Sequence, residues 1–305
     1  MRGYAYKRGY DQMHHNLVRT TARTAVIGAV IVLGSTAAAQ GAMAKPMPRG
    51  IVSVPCQTPA LMSAISGARS GEKLHLASGC AYHLTAALPD IDTGLTIAGS
   101  GATLDRSDAD GTPDFTILTV DAGDLNLVDL NFRGGGGPTG SQYAEGGAIY
   151  NDGGNITVLG GTFTDNSVAG AGGAIFNESG TLTITSAYIM DNDSYFGGAI
   201  DNNATMTLRA SYFSQNGAHE GGAIDNGGIA TVIGTTFTKD TSLAGGALAN
   251  SGQAALSNVT IQDNWAGFFG GGIYNSGSVT LRRTKVYGNT PDNCDPVGTI
   301  AGCSG

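Results

Sequence analysis

One six-residue block recurs through the second half of the chain and restricts the fold more than any other feature. It reads Gly146-Gly-Ala-Ile-Tyr-Asn151, Gly172-Gly-Ala-Ile-Phe-Asn177, Gly197-Gly-Ala-Ile-Asp-Asn202, Gly221-Gly-Ala-Ile-Asp-Asn226, Gly245-Gly-Ala-Leu-Ala-Asn250 and Gly270-Gly-Gly-Ile-Tyr-Asn275. The blocks start 26, 25, 24, 24 and 25 residues apart. Two apolar columns keep step with them. One is Val158, Ile184, Leu208, Val232, Leu256 and Leu281; the other is Phe163, Ile189, Phe213, Phe237, Ile261 and Val286. The second column is followed three residues later by Asn166, Asn192, Asn216, Asp240, Asn264 and Asn289. A fixed period of this length is the signature of a repeat architecture.

Within each repeat the apolar runs alternate, as in Ile156-Thr157-Val158, and are separated by Gly, Asn and Asp. Period two predicts strands, and no stretch in the repeats carries the 3.6-residue period of a helix. Three short strands per repeat stay in column only if each repeat stacks on the one before it, about 4.8 Å along an axis. The predicted fold is therefore an all-β solenoid, a single-stranded right-handed parallel β-helix. Ile149, Ile175, Ile200, Ile224, Leu248 and Ile273 point inward, and Thr157, Thr183, Thr207, Thr231 and Thr280 form an outward ladder. Gly-Gly marks a tight corner. The block's last residues, Asn151, Asn177, Asn202, Asn226, Asn250 and Asn275, are expected to stack as an inward ladder of amides bonded between coils.

Residues 70–140 hold three less regular coils, giving about nine in all. The expected organisation is a signal peptide over 1–44, an N-terminal cap over 45–71, the parallel β-helix over 72–290 with regular repeats from 146 to 290, and a disulfide cap over 291–305. The leader is basic, then briefly apolar from Ala25 to Leu33, which is too short to span a bilayer. Ala42-Met43-Ala44 is the expected cleavage site, with Ala37-Ala38-Ala39 as the rival, and Met13 is an alternative start. No stretch of the mature chain is long and apolar enough to cross a membrane. In the cap, a short amphipathic helix beginning near Pro59 carries Leu61, Met62 and Ile65, with Thr58 as its N-cap. An extended solenoid keeps its two ends beyond disulfide reach, so Cys56 pairs with Cys80 and Cys294 with Cys303.

The chain has a net charge of −8, which falls to −12 when the five Lys/Arg and one Asp of residues 1–44 are removed. That balance argues against nucleic acid as a partner. Position five of the block faces outward, placing Asp201 and Asp225 on adjacent coils about 5 Å apart. This spacing suits paired-carboxylate glycoside chemistry or one calcium ion. Arg209, His219 and Glu220 lie on or between the same coils. A glycan-binding or partner-binding face is the competing reading, from Tyr188, Tyr195, Phe196, Tyr212, Trp265, Phe268 and Phe269. Asp105, Asp108, Asp110 and Asp114 surround a glycine. The candidate metal ligands there, Asp108 and Asp110, form an incomplete calcium loop, so no cofactor is assigned and calcium is the one ion considered. Gly134–Gly140 reads as a flexible loop.

The GGAI blocks with their FxxN partners resemble the repeats of polymorphic outer-membrane proteins, within the pectin-lyase-like right-handed β-helix superfamily. The resemblance covers residues 146–290, about half the chain. Asn289-Thr-Pro-Asp-Asn-Cys294 and the regions of Cys56 and Cys80 are similar to short secreted bacterial β-helix proteins. The resemblance implies adhesion and surface display; together with the aromatic residues, the expectation is a secreted or surface-exposed binding, adhesion or structural module, monomeric and facing a glycan or a cell-surface partner. No C-terminal translocator barrel follows the repeats within these 305 residues, so outer-membrane anchoring is not implied. A polysaccharide lyase or glycoside hydrolase of the same superfamily is the alternative function. The superfamily's catalytic motifs have no residue-by-residue match here, so no catalytic residue is assigned.

Overall fold

A computed structural model of the chain describes residues 50–137 and 144–303. The expected signal peptide, its cleavage site and the alternative start lie outside the described residues. So does the later part of the glycine-rich stretch.

The architecture is a parallel β-solenoid. Val52, Leu74, Ile97, Leu127, Val158, Ile184, Leu208, Val232, Leu256 and Leu281 are register partners in one unbroken column. That column has ten rungs, spanning about 43 Å at the strand spacing. Nine were expected. The extra one is Ile51–Val54, which was assigned to the cap but pairs in parallel with Glu72–Leu76. Its four residues are too few for alternation to reveal them in the sequence.

A second column runs from Tyr82 through Leu104, Phe132, Phe163, Ile189, Phe213, Phe237 and Ile261 to Val286. The third carries the isoleucines of the repeated block. The three columns enclose a continuous apolar core. The stacked rings Phe132–Phe163, at 4.9 Å, and Phe213–Phe237, at 4.8 Å, add aromatic packing along its axis.

Two polar ladders run inside this wall. The predicted one is continuous: each Asn from 151 to 250 donates its Nδ2 to the Oδ1 of the next, at 2.6–2.8 Å, ending on Asn275. A second joins Asn166, Asn192 and Asn216 to Asp240, each bond 2.9 Å long. It resumes from Asn264 to Asn289, again at 2.9 Å. Stacking equivalent amides one rung apart satisfies each donor with its own copy, which is why buried Asn is tolerated here.

The Gly-Gly corner has two separate requirements. The first glycine has positive φ in every block, as at Gly197 (59°) and Gly221 (67°). The second faces the next rung's backbone: a Cβ on Gly198 would sit 2.2 Å from the carbonyl oxygen of Gly222.

At the N-terminal end the helix α1 (Thr58–Ser66) buries Leu61 and Ile65, and Cys56–Cys80 ties it down with 24 residues of separation. Its N-cap is Gln57 rather than Thr58, which is the first helical residue. The Thr58 hydroxyl is committed elsewhere, donating to the carbonyl of His83 at 2.9 Å. At the other end Cys294–Cys303 closes as expected, and Cys294–Asp295 begins a further rung against Ile273 and Tyr274.

Candidate functional site

The Gly-Gly corner decides the environment of Asp201 and Asp225. The two are direct register partners, as the sequence predicts. Neither belongs to a solvated face, because each is only 2% exposed. A small second sheet accounts for this. Asp193–Phe196, Gly217–Glu220, Thr241–Ala244 and Trp265–Phe269 stack in parallel and precede the corner. The corner then folds the end of each such strand back over position five of the block. Phe269 and Tyr274 show the contact directly, with ring centroids 6.0 Å apart. Glu220 and Asp225 hold the equivalent positions one side of the same corner from each other, as do Phe196 and Asp201.

The other expected partners do not assemble there. Arg209 ends a different strand, paired with Thr185 and Ile233, and is exposed. His219 stacks on Tyr195, with centroids 4.4 Å apart and planes 8° from parallel, and partial burial lowers its pKa. Carboxylates shielded to this degree present no surface to a polysaccharide chain.

Apart from Tyr195, which lies between His219 and an edge-on Phe196 with ring centroids 4.4 and 4.7 Å away, the candidate aromatic residues separate into three groups. Phe196 is buried and belongs to the core of the corner. Tyr188 and Tyr212 tilt against each other at 6.1 Å on the second column's outer face. Trp265, Phe268 and Phe269 are exposed on the last strand of the small sheet, where a register shift against Thr241–Ala244 pushes Phe268 outward. They do not form one continuous sugar-binding face.

A polar cleft of about 550 Å³ lies elsewhere, at the edge of the second column. Its volume falls within the range of small-molecule sites. Five carboxylates line it (Asp105, Asp108, Asp114, Asp165 and Asp193), together with Arg106 and Arg133. Consecutive rungs supply most of these. Asp105 and Arg106 end the strand Leu95–Arg106, and Arg133 ends the strand Asp124–Arg133, directly paired with Asp105. Asp165 follows Thr162–Thr164 with φ of 55°, a left-handed turn that aspartate tolerates. Asp193 opens the first strand of the small sheet.

Both guanidiniums are committed. Arg106 Nε donates to the carbonyl of Gly134 at 2.6 Å, and Arg106 also pairs with Asp114 at 3.4 Å, pinning the 107–117 loop over the cleft. Arg133 Nε donates to Asp165 Oδ2 at 3.2 Å. That hydrogen bond, then the charges of Asp105 and Asp165, hold the Arg133 pKa above its usual value. Burial raises the pKa of Asp193. His83 Nδ1 lies 3.1 Å from Oδ2 of the cleft residue Asp105.

The cleft floor is glycine backbone. Gly135 donates to Asn166 Oδ1 at 2.9 Å, and a Cβ at Gly137 would meet the Ala144 methyl at 1.9 Å. Residues 134–137 are thus packed wall rather than flexible loop. Of the candidate metal ligands, Asp108 lines the cleft and Asp110 sits on an exposed turn outside it. Among the described residues no three of His, Cys, Asp or Glu are grouped to hold a metal ion.

The cleft was only partly visible in the sequence. The Asp105–Asp114 cluster pointed toward it, whereas Arg133, Asp165 and Asp193 carry no local signal of their own.

The wall that holds Asp165 is also where the chain meets a known repeat. Residues 160–178 match the Chlamydia polymorphic membrane protein repeat. The matched segment runs from Gly160 through Phe163 and Asn166 to the block Gly172–Asn177, and it includes the cleft residues Asp165, Ser167, Val168 and Ala169. It spans one repeat and so describes the rung rather than the whole chain. No curated protein and no solved structure matches the chain. Among the described residues no helix is long and apolar enough to cross a membrane.

Proposed function

We propose that this protein is a surface-displayed binding module of the cell envelope, and that its cleft receives a neutral, hydroxyl-rich glycan. The charge balance of the cleft carries this reading: five carboxylates against two guanidiniums, each of which is already bonded to an aspartate. Carboxylates are acceptors only, so they suit a ligand rich in hydroxyl donors. The same excess of negative charge repels polyuronates, and a lyase acting on them needs cationic groups free to face the substrate. Two disulfides fit an oxidising location outside the cytosol. The polymorphic membrane protein repeat supports a place at the cell surface.

A glycan array followed by calorimetry tests the reading. Neutral oligosaccharides should bind and polygalacturonate should not. Asp165→Asn with Asp193→Asn should weaken binding about ten- to a hundredfold, the effect of losing charged hydrogen-bond acceptors. Asn tolerates the positive φ at position 165, so the fold is kept. Binding that is indifferent to both substitutions, or depolymerisation of a polyuronate, would overturn it.

A further inference from the structure

The two ends of the solenoid are finished differently. The N-terminal end is closed by α1 and its disulfide. At the C-terminal end, Ser278–Arg282 pairs only with Gln253–Ser257, and Lys285–Tyr287 only with Thr260–Gln262, among the described residues. Beyond them Cys294–Asp295 pairs with the third column and Thr290 bridges Trp265 of the small sheet, while Ile300 and Cys303 pack against the core without strand-pairing to either of these two strands among the described residues. Val279, Leu281 and Val286 are consequently half-buried, whereas their partners one rung earlier, Ala254, Leu256 and Ile261, are fully buried. An open edge of this kind is a template for pairing with another strand.

Charge distinguishes the occupants. The repeats from 146 to 277 contain ten Asp/Glu and only two cations, Arg209 and Lys239. The final rung then places Arg282, Arg283 and Lys285 together, all exposed and none in an ion pair among the described residues. A second copy meeting this edge with its own would oppose like charges along the seam, which destabilises strand pairing. An acidic strand meets the opposite situation.

We propose that this edge docks an extended acidic segment of a partner protein by strand addition. Its alternate apolar side chains would cover Val279 and Leu281, and its carboxylates would lie beside Arg282, Arg283 and Lys285. Main-chain bonds supply the affinity in such a mode, and the alternating side chains supply the selectivity.

The probe is a fluorescent peptide of about ten residues, roughly two strand lengths, alternating Val and Glu. Its anisotropy is titrated with the full chain, beside an alternating Val–Lys control. The Val–Glu peptide should bind, increasingly weakly as salt rises, and the Val–Lys peptide should not. The exposed charge reversal R282E/R283E/K285E should weaken Val–Glu binding about tenfold or more, with unchanged thermal unfolding. Leu281→Asn should weaken it through the apolar contact. Equal binding of both peptides, or indifference to the charge reversal, would overturn the proposal. So would a concentration-dependent dimer of the chain that Leu281→Asn disperses, since that assigns the edge to a second copy.

Discussion

Asp240→Asn should stabilise the protein at pH 7 and remove a distinctive part of its pH dependence. Asp240 is fully buried in a ladder otherwise made of asparagine. Its Oδ1 accepts from the Asn216 backbone N–H and from Asn216 Nδ2, both at 2.9 Å, and Oδ2 has no hydrogen-bond partner. Equivalent asparagines donate from that second position, as Asn192 Nδ2 does to Phe163 O, Met190 O and Asn216 Oδ1 at 2.9–3.0 Å. Next along the ladder, Asn264 Oδ1 accepts from the Asp240 backbone N–H at 2.9 Å. An ionised Asp240 therefore aims an acceptor at a position built for a donor. Burial pushes its pKa up to about 8, against a partial lowering by the hydrogen bonds from Asn216 and the Thr238 backbone.

The folded-state pKa lies above the unfolded value of 3.8. The contribution of this group is thus fully present below about pH 4 and is lost as pH rises toward and through 8. At ~1.4 kcal/mol per pKa unit, the loss by pH 7 is on the order of 4 kcal/mol. Denaturant midpoints measured from pH 4 to 9 should show the wild type falling behind Asp240→Asn progressively across this window. Taking the difference between the two proteins cancels the other carboxylates raised by burial, Asp121, Asp152, Asp193 and Asp295. Parallel pH profiles would show that Asp240 is solvated as an anion, contrary to its position.

Gly222→Ala should be strongly destabilising, as one of the repeat glycines whose added methyl would enter the backbone of a neighbouring rung. Its Cβ would lie 2.2 Å from the carbonyl of Gly246, 2.6 Å from that of Thr241 and 2.7 Å from the Thr241 nitrogen. All three are backbone atoms of a neighbouring rung, so no rotamer relieves the overlap and the stack must open. Overpacking a rigid interior costs about 1–3 kcal/mol, and a simultaneous loss of inter-rung bonds takes the total above that range. Gly234→Ala is the control. Gly234 has φ of 61° but its Cβ would meet nothing closer than 4.0 Å. It should cost about 1 kcal/mol, the strain of a left-handed Ala alone. Equal unfolding midpoints for the two variants would mean that the corner does not bring adjacent rungs into backbone contact.

The repeats made the stacking legible. The spacing of Gly-Gly-Ala-Ile blocks placed Ile175 beside Ile200 and Asn177 beside Asn202, and both pairs are register partners. The local disulfides followed from an extended stack. Thr157, Thr183, Thr207 and Thr231 were read as an outward ladder, and they are consecutive register partners. The first rung was missed because Ile51–Val54 has no Gly-Gly block and no internal copy close to it. For Asp201 and Asp225 the alternation gave the right direction, away from the core, but the wrong exposure.

What the sequence determined by itself was the relation of each residue to its own copy. In parallel in-register stacking, a residue's nearest neighbours along the axis are its equivalents one period away, so periodicity encodes them directly. Only the tertiary structure decided what lies beside each column. The Gly-Gly corner folds the small sheet over Asp201 and Asp225, and Arg106 ties Asp114 of the 107–117 loop to the rung whose cleft Asp165 and Asp193 also line. Those contacts join segments that are not equivalent by any period. They depend on the angle of a corner and the length of a loop, and hydrophobic patterning records neither.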